Sequence, residues 1–193
     1  RVLEVGIKQY PCCYHLQRII ESTVALRDAG RLTPGNVEEI QVEVNAFFPT
    51  VVKHPEPSDE IEAQFSLPHA IASALLEPRV LPSSFSRQKI DSIAVKQIRN
   101  KVKMVVREDW GWTPTGWTPR ITFRLSNGRE IVETPPRSKG QPPELLSFDA
   151  CIAKYRRCVE SVLSEDKIAG SIEILRAIDA CDNIDKLMRT ITH

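Results

Sequence analysis

The amino-acid sequence predicts an α+β protein: a small mixed sheet domain with helices packed on one side, followed by an α-helical tail. Three observations support this prediction. Within residues 37–44, Ile40, Val42 and Val44 alternate with Gln41 and Glu43, as in a strand with one wet face. Residues 121–133 place Asn127-Gly128 between two apolar segments, which favours a β-hairpin. Four prolines within 135–143 then separate this region from a series of amphipathic segments.

The first half of the chain alternates between predicted strands and predicted helices. Residues 2–7 form a short apolar run that predicts a strand, and Pro11 ends it. Apolar residues at helical spacing predict a helix over 14–29, with Gly30 as its C-cap. After the strand at 37–44, residues 60–77 predict a second helix, and its later part, residues 70–76, is nearly all small or apolar and therefore buried.

The second half predicts one or two amphipathic helices over 85–101, a strand over 104–106 and then the hairpin. The proline-rich linker leads to three further helices, predicted over 147–163, 165–181 and 184–191. The order β-α-β-α-α-β-β-β, followed by helices, therefore predicts two parts. Residues 1–140 form the α+β domain, and residues 141–193 form the helical segment.

The composition argues against two classes of partner. The chain of 193 residues has 26 Lys and Arg against 25 Asp and Glu, a formal net charge of +1, so it lacks the basic excess of a nucleic-acid-binding protein. No apolar run approaches the roughly 18 residues of a membrane-spanning helix. We therefore expect neither a nucleic-acid nor a membrane partner. The five cysteines, Cys12 and Cys13 adjacent among them, favour free thiols in a reducing compartment.

The junction at residues 6–17 (GIKQYPCCYHLQ) concentrates reactive side chains between the first predicted strand and helix. Cys12, Cys13 and His15 are too crowded for the usual ligand spacing of a structural zinc site, and the sequence has no second cluster, so we predict no metal. A thioredoxin-type pair requires two residues between its cysteines, and Cys12 and Cys13 have none, so they do not form such a pair. A Cys13–His15 nucleophilic dyad stays open, although nothing in the sequence supplies a third, orienting group.

The same junction also favours an anion site. A strand that ends near Lys8, a turn at Pro11 and a helix that begins near Tyr14 direct a positive charge and a helix N-terminus to one place. His15 beside them could exchange protons near neutral pH. Such a group suits a polycarboxylate substrate. The alternative is an exposed lysine and a histidine satisfied within the fold.

Residues 8–15 (KQYPCCYH) resemble the K-x-[YF]-P-x-x-x-H segment of the MmgE/PrpD family, which contains 2-methylcitrate dehydratases, cis-aconitate decarboxylases and iminodisuccinate epimerases. Later segments resemble other segments of the family in the same order, and the likeness spans essentially the whole chain. They are residues 37–42 (VEEIQV), 62–72 (EAQFSLPHAIA), 106–109 (VRED), 126–129 (SNGR) and 153–158 (AKYRRC).

The resemblance implies that this chain is part of a longer protein, which accords with a sequence that opens without methionine. Residues 1–140 would be the family's lid domain, and 141–193 the C-terminal helices that would pack on an N-terminal helical domain. It also implies a cofactor-free lyase or isomerase that transfers protons next to a carboxylate of a small di- or tricarboxylate. Dehydration is the reaction we expect, with decarboxylation or epimerisation as alternatives, in a cytoplasmic homodimer, or in the mitochondrial matrix of a eukaryote. We expect the isolated chain to be inactive.

Three candidate site residues follow from the resemblance in the opening loop. Lys8 matches the family's active-site lysine, which implies carboxylate binding and charge stabilisation. His15 matches the histidine of the methylcitrate dehydratases, which implies proton transfer, with a structural capping role as the alternative. Cys13 stands where the decarboxylase has its histidine, so it becomes a candidate substrate-binding residue, and decarboxylation loses support.

Three more candidates follow from the likeness of residues 62–72. His69 replaces a tyrosine that faces the substrate in the family, and it is a candidate catalytic residue; a histidine satisfied inside the domain is the alternative. Gln64 and Ser66 are candidate substrate-binding residues through their amide and hydroxyl groups. A different class of function stays open as well: a non-catalytic α+β binding or interaction module that retains the lid fold.

Overall fold

The structure is a computed structural model and describes residues 5–135 and 137–192. It divides into one unit that ends at Glu144 and a second that begins at Leu145. The first contains a four-stranded sheet with its helices, and the second is helical. The predicted α+β class with a helical tail is confirmed. The assignment of the two parts as a lid and as helices that pack on another domain stays a prediction.

The sheet is mixed, with the strand order β2-β1-β3-β4. Strand β1 (Val37–Asn45) pairs in parallel with β2 (Val102–Arg107) and antiparallel with β3 (Arg120–Leu125), which continues through the turn into β4 (Glu130–Glu133). Gly128 has φ +77°, a left-handed conformation that glycine adopts without steric cost. The predicted hairpin is therefore confirmed.

One face of the sheet is the wall of the core. Ile40, Val42 and Val44 of β1 and Ile121 and Phe123 of β3 are fully buried on this face. The alternation over residues 40–44 of β1 therefore places its apolar side chains in the core, as predicted, since every second side chain of a strand lies on the same face.

The opposite face carries a network of ion pairs between neighbouring strands. Arg124 Nη1 lies 2.6 Å from Glu39 and its Nε lies 2.7 Å from Glu130. Glu43, only 7% exposed, contacts Arg107 at 2.6 Å and Arg120 at 3.6 Å. Cross-strand pairs of opposite charge stabilise the register of a sheet.

The helices of the first unit pack mainly around α4 (Leu67–Leu76), which contacts α1 (Gln17–Asp28), α6 (Ile93–Arg99) and strand β2. A short 3-10 helix (Tyr14–Leu16) leads directly into α1. The remaining helices of this unit are α2 (Phe48–Val51), α3 (Glu60–Gln64), α5 (Arg87–Asp91) and the 3-10 helices Pro82–Phe85 and Glu108–Trp110.

The single helix predicted over 60–77 is in fact two helices, α3 and α4. Ser66 separates them: its backbone is extended, and its Oγ accepts a hydrogen bond from His69 N at 3.3 Å. Serine as N-cap with proline near the first helical position is a start signal, and Pro68 is the second residue of α4. This signal was missed because α4 is buried on all sides, so the hydrophobic pattern of the sequence does not show where the helix begins.

The strand predicted over 2–7 is not found among residues 5–7, the part of that range that the structure describes. Residues 2–4 lie outside the described part of the chain, and residues 5–7 are not in a strand. Ile7 N instead donates a hydrogen bond to Gly140 O at 2.8 Å, in the proline-rich loop after β4. The opening segment is thus anchored to a loop rather than to the sheet.

The second unit consists of α7 (Phe148–Val159), α8 (Glu165–Arg176), a 3-10 helix (Ile178–Ala180) and α9 (Asp185–Ile191). The helix predicted over 165–181 ends earlier, at Arg176. In neither described stretch of the chain is a helix long and apolar enough to cross a membrane.

Candidate functional site

The loop that carries Lys8 is held in one shape by a buried glutamine. Gln17, 1% exposed in the first turn of α1, accepts a hydrogen bond from Tyr10 N at 2.9 Å. Its amide nitrogen donates to Tyr10 O at 3.0 Å and to Cys12 O at 3.4 Å. The side chain therefore satisfies backbone groups that a loop would otherwise leave unpaired. Nothing in the sequence marks Gln17 as a site residue, because a glutamine near a helix start carries no specific signal.

Lys8 is exposed on this loop, next to two buried thiols. Burial raises the pKa of Cys12 and of Cys13, and the positive charge of Lys8 opposes that effect only in part. Both thiols are therefore protonated at neutral pH, whereas the nucleophile in cysteine chemistry is the thiolate. The structure thus argues against the Cys13–His15 dyad and favours a packing role for both cysteines.

Two of the predicted substrate-binding residues join the opening loop to the α3–α4 junction. Cys13 N donates a hydrogen bond to Gln64 O at 2.9 Å, so the backbone of the loop is tied to the end of α3. The hydroxyl of Ser66 is fully buried and serves as the N-cap of α4. These contacts are structural, and the proposed substrate contacts of Cys13, Gln64 and Ser66 stay predictions.

His69 lies in the interior, with 0% of its surface exposed. Its Nε2 is 2.9 Å from Ser84 O, and because a carbonyl oxygen only accepts, Nε2 carries the hydrogen. Among the described residues, Nδ1 has no hydrogen-bond partner. The structure thus places His69 as the buried histidine that was the alternative interpretation. Its catalytic role stays a prediction.

The buried histidine gives an expected pH dependence of stability. Burial lowers the pKa of His69 below its ordinary value of 6.5, against the opposing hydrogen bond to Ser84. The unfolded chain then binds a proton at a higher pH than the folded chain. The free energy of unfolding should therefore decrease as the pH falls through 6.5 towards the lower, folded pKa. Urea unfolding of the wild type and His69→Gln between pH 8 and pH 5 measures this, since glutamine removes the titrating group and keeps a donor for Ser84.

We expect the free energy of unfolding of His69→Gln to decrease less steeply than that of the wild type as the pH falls. His15→Gln should also reduce this pH dependence, because the pKa of His15 is lowered too, mainly by burial and also by the positive charge of Arg18. Identical slopes in the wild type and His69→Gln would contradict the assignment to His69.

His15 lies against a wall of aromatic rings. Its imidazole stacks on Trp117, with ring centroids 6.4 Å apart and an angle of 23° between the planes. Phe47 and Phe48 lie edge-on at 5.6 and 6.2 Å. Because its pKa is lowered, the ring is neutral at physiological pH and has a nitrogen available to accept a proton.

His15 and Trp117 also line a small cleft that opens to solvent, with a volume of about 170 Å³. The start of the first helix, the loop before β3 and the loop after β4 form its walls. They contribute Tyr14, His15 and Arg18, then residues 114–117, and finally Arg137, Gln141 and Pro142.

The predicted site residues therefore occupy three places. His15 lines the cleft, Lys8, Cys13 and Gln64 belong to the opening loop and its junction with α3, and Ser66 and His69 are buried. Arg18 and Arg137 were not predicted. No group of three His, Cys, Asp or Glu side chains within 5–135 and 137–192 is placed to hold a metal ion.

Of two comparisons with known proteins, one finds a match. Comparison with the curated proteins gives no significant match. The family model of the MmgE/PrpD C-terminal domain matches residues 10–180, which includes His15 and every wall of the cleft and begins two residues after Lys8. The predicted resemblance is thereby confirmed, and the chain belongs to the MmgE/PrpD family, of which it contains the C-terminal domain.

Proposed function

We propose that this chain is the C-terminal part of a cofactor-free lyase or isomerase that acts on a small di- or tricarboxylate. Dehydration of a 2-methylcitrate-like substrate is the reaction we favour. The observation that carries this proposal is the match of residues 10–180 to the MmgE/PrpD C-terminal domain. Lys8 lies two residues before this match and is assigned by the resemblance of residues 8–15 alone. The exposed position of Lys8 on the loop clamped by Gln17 supports the proposal.

The proposed chemistry needs a fixed positive charge and a proton acceptor. Removal of a proton next to a carboxylate builds negative charge on that group, and a positioned ammonium stabilises it. Lys8 supplies the charge in this proposal. His15 supplies the acceptor, since its ring is neutral at physiological pH and lines an open cleft.

The wider assembly is part of the same proposal. Residues 1–140 act as a lid over a pocket completed by an N-terminal helical domain, and lid closure excludes water from the reaction. The protein is a homodimer in the cytoplasm, or in the mitochondrial matrix of a eukaryote.

The test is an NMR assay of the full-length natural protein with 2-methylcitrate, cis-aconitate and iminodisuccinate in separate tubes. Loss of water from 2-methylcitrate is the expected result. Turnover of cis-aconitate or iminodisuccinate alone would replace dehydration by decarboxylation or epimerisation. An absence of turnover with all three substrates would overturn the proposed function.

A second candidate function, binding without catalysis, is favoured by one observation. The residue at the position of the family's tyrosine, His69, is fully buried here. A chain that retained the lid fold without this group would bind carboxylates and leave them unchanged. Saturable binding of 2-methylcitrate with no product after prolonged incubation would support this candidate.

A further inference from the structure

We propose that the cleft beside His15 binds a carboxylate group of a small polycarboxylate through Arg18 and Arg137. Nothing in the family match assigns either arginine. The identification of the ligand as the enzyme's own substrate rests on the proposed function, whereas carboxylate binding itself does not.

Neither guanidinium group has a counter-ion among the residues that the structure describes. Within the described part of the chain, no carboxylate forms an ion pair with Arg18 or Arg137, whose hydrogen bonds go to backbone carbonyls. The arginines of the sheet are different, since each contacts a glutamate. Two positive charges that face an open cleft without a partner are the arrangement that an anionic ligand completes.

The two positive charges are close enough to repel each other. Burial lowers the pKa of Arg18, and the positive charge of Arg137 lowers it further. Mutual repulsion across a partly buried cleft raises the free energy of the empty site. A carboxylate between the two groups would relieve this repulsion, and charge-assisted hydrogen bonds to guanidinium are among the stronger ones in proteins.

Backbone carbonyls hold both guanidinium groups in place without a ligand. Arg18 Nη1 donates to Trp117 O at 3.0 Å, and Arg137 Nη1 donates to Pro142 O at 3.1 Å. A guanidinium has five N–H donors, so each arginine keeps donors for a ligand. A preorganised site loses less side-chain entropy when it binds.

The shape of the cleft favours an organic acid over inorganic phosphate. The neutral ring of His15, stacked on Trp117, forms a flat, weakly polar wall next to the two cations. A small tri- or dicarboxylate would place one carboxylate on the arginines and its carbon skeleton along this wall. Phosphate is also an anion, but it has no carbon skeleton to lie along the wall.

The experiment is a titration of the full-length natural protein with tricarballylate (propane-1,2,3-tricarboxylate). This compound has three carboxylates but no hydroxyl group, double bond or amine nitrogen, so it cannot undergo the proposed dehydration, decarboxylation or epimerisation, and binding is measured without turnover. The readouts are the dissociation constant by calorimetry and the NMR shift of the Trp117 indole N–H. Each is measured for the wild type, Arg137→Gln and Arg129→Gln. Arg129 is the matched control, an exposed arginine in the hairpin turn outside the cleft.

We expect Arg137→Gln to weaken tricarballylate binding about tenfold, the value of one lost charge-assisted hydrogen bond. Arg129→Gln should bind as the wild type does, and the indole signal of Trp117 should move on titration. Arg18→Lys, which keeps the charge and shortens the reach, should also weaken binding. Arg137 is exposed, so its replacement should leave the thermal unfolding temperature unchanged.

Three outcomes would overturn the inference: no binding, equal weakening in Arg137→Gln and Arg129→Gln, or phosphate binding as tight as that of tricarballylate. These outcomes are separable from failure of the proposed function. Turnover of 2-methylcitrate that is insensitive to Arg137→Gln would retain the function and overturn the site. Arg137-dependent binding without turnover of any substrate would retain the site and overturn the function.

Discussion

We expect Lys8→Ala to reduce turnover by the full-length protein about a hundredfold or more, with the fold intact. The loss of one positioned group that stabilises transition-state charge typically has an effect of this size. The fold should persist because Lys8 is exposed and the loop is held by Gln17, not by the lysine. The measurements are kcat and KM on the substrate that the NMR assay identifies, together with circular dichroism and the thermal unfolding temperature.

Lys53→Ala is the matched control, since Lys53 is also exposed in a loop of the first unit and lies outside the opening segment. It should have wild-type kinetics. Lys8→Arg separates charge from position, because arginine keeps the positive charge on a longer, planar group. Near-normal kcat in Lys8→Ala would remove Lys8 from the mechanism, even if the protein remained an enzyme on this substrate.

The parts of the fold that the sequence predicted are those determined by local patterns. The alternation at 37–44 gave β1 because every second side chain of a strand faces the same side. Asn127-Gly128 gave the hairpin because its left-handed turn needs a residue such as Gly128. Each feature lies within one short continuous segment, so it can be predicted without knowledge of any long-range contact.

The failures arose where tertiary contacts decided the local structure. Residues 5–7 have an apolar pattern that suits a strand, yet Ile7 bonds to Gly140, more than a hundred residues away. The helix break at Ser66 was missed for a different reason. Its capping signal lies at the start of a run of buried residues, and the apolar pattern there shows no gap between two helices. A cap signal should therefore count for more than periodicity when serine precedes proline by two positions.

The cleft could not have been found in the sequence. Its walls come from residues 14–18, 114–117 and 137–142, and only the folded chain brings Arg18 next to Arg137. The motif containing Lys8, by contrast, is contiguous and was visible as a resemblance. His15 was predicted as well, although its aromatic surroundings come from segments distant in the chain.

Gly6→Ala should have the largest effect on stability of the changes we consider, a decrease of about 1–3 kcal/mol in the free energy of unfolding, as for other overpacked sites. A Cβ at this position would lie 2.7 Å from Gly140 O, a backbone atom that has no rotamer to move away. Gly6 does not have a positive φ, so the effect would come from this contact and not from backbone strain. Urea unfolding measures it.

Gly35→Ala is the matched control. It too lacks a positive φ, and no atom of the described residues lies within 4 Å of its added Cβ, so the unfolding free energy should stay the same or rise by about 0.4–1 kcal/mol. The consequence for the site follows from the position of Gly6. It precedes Lys8 by two residues, and Gly140 belongs to the loop that carries Arg137 and Gln141. Gly6→Ala should therefore weaken tricarballylate binding and turnover together. Wild-type stability in Gly6→Ala would mean that the opening segment does not pack on this loop, and that the cleft and Lys8 are independent of each other.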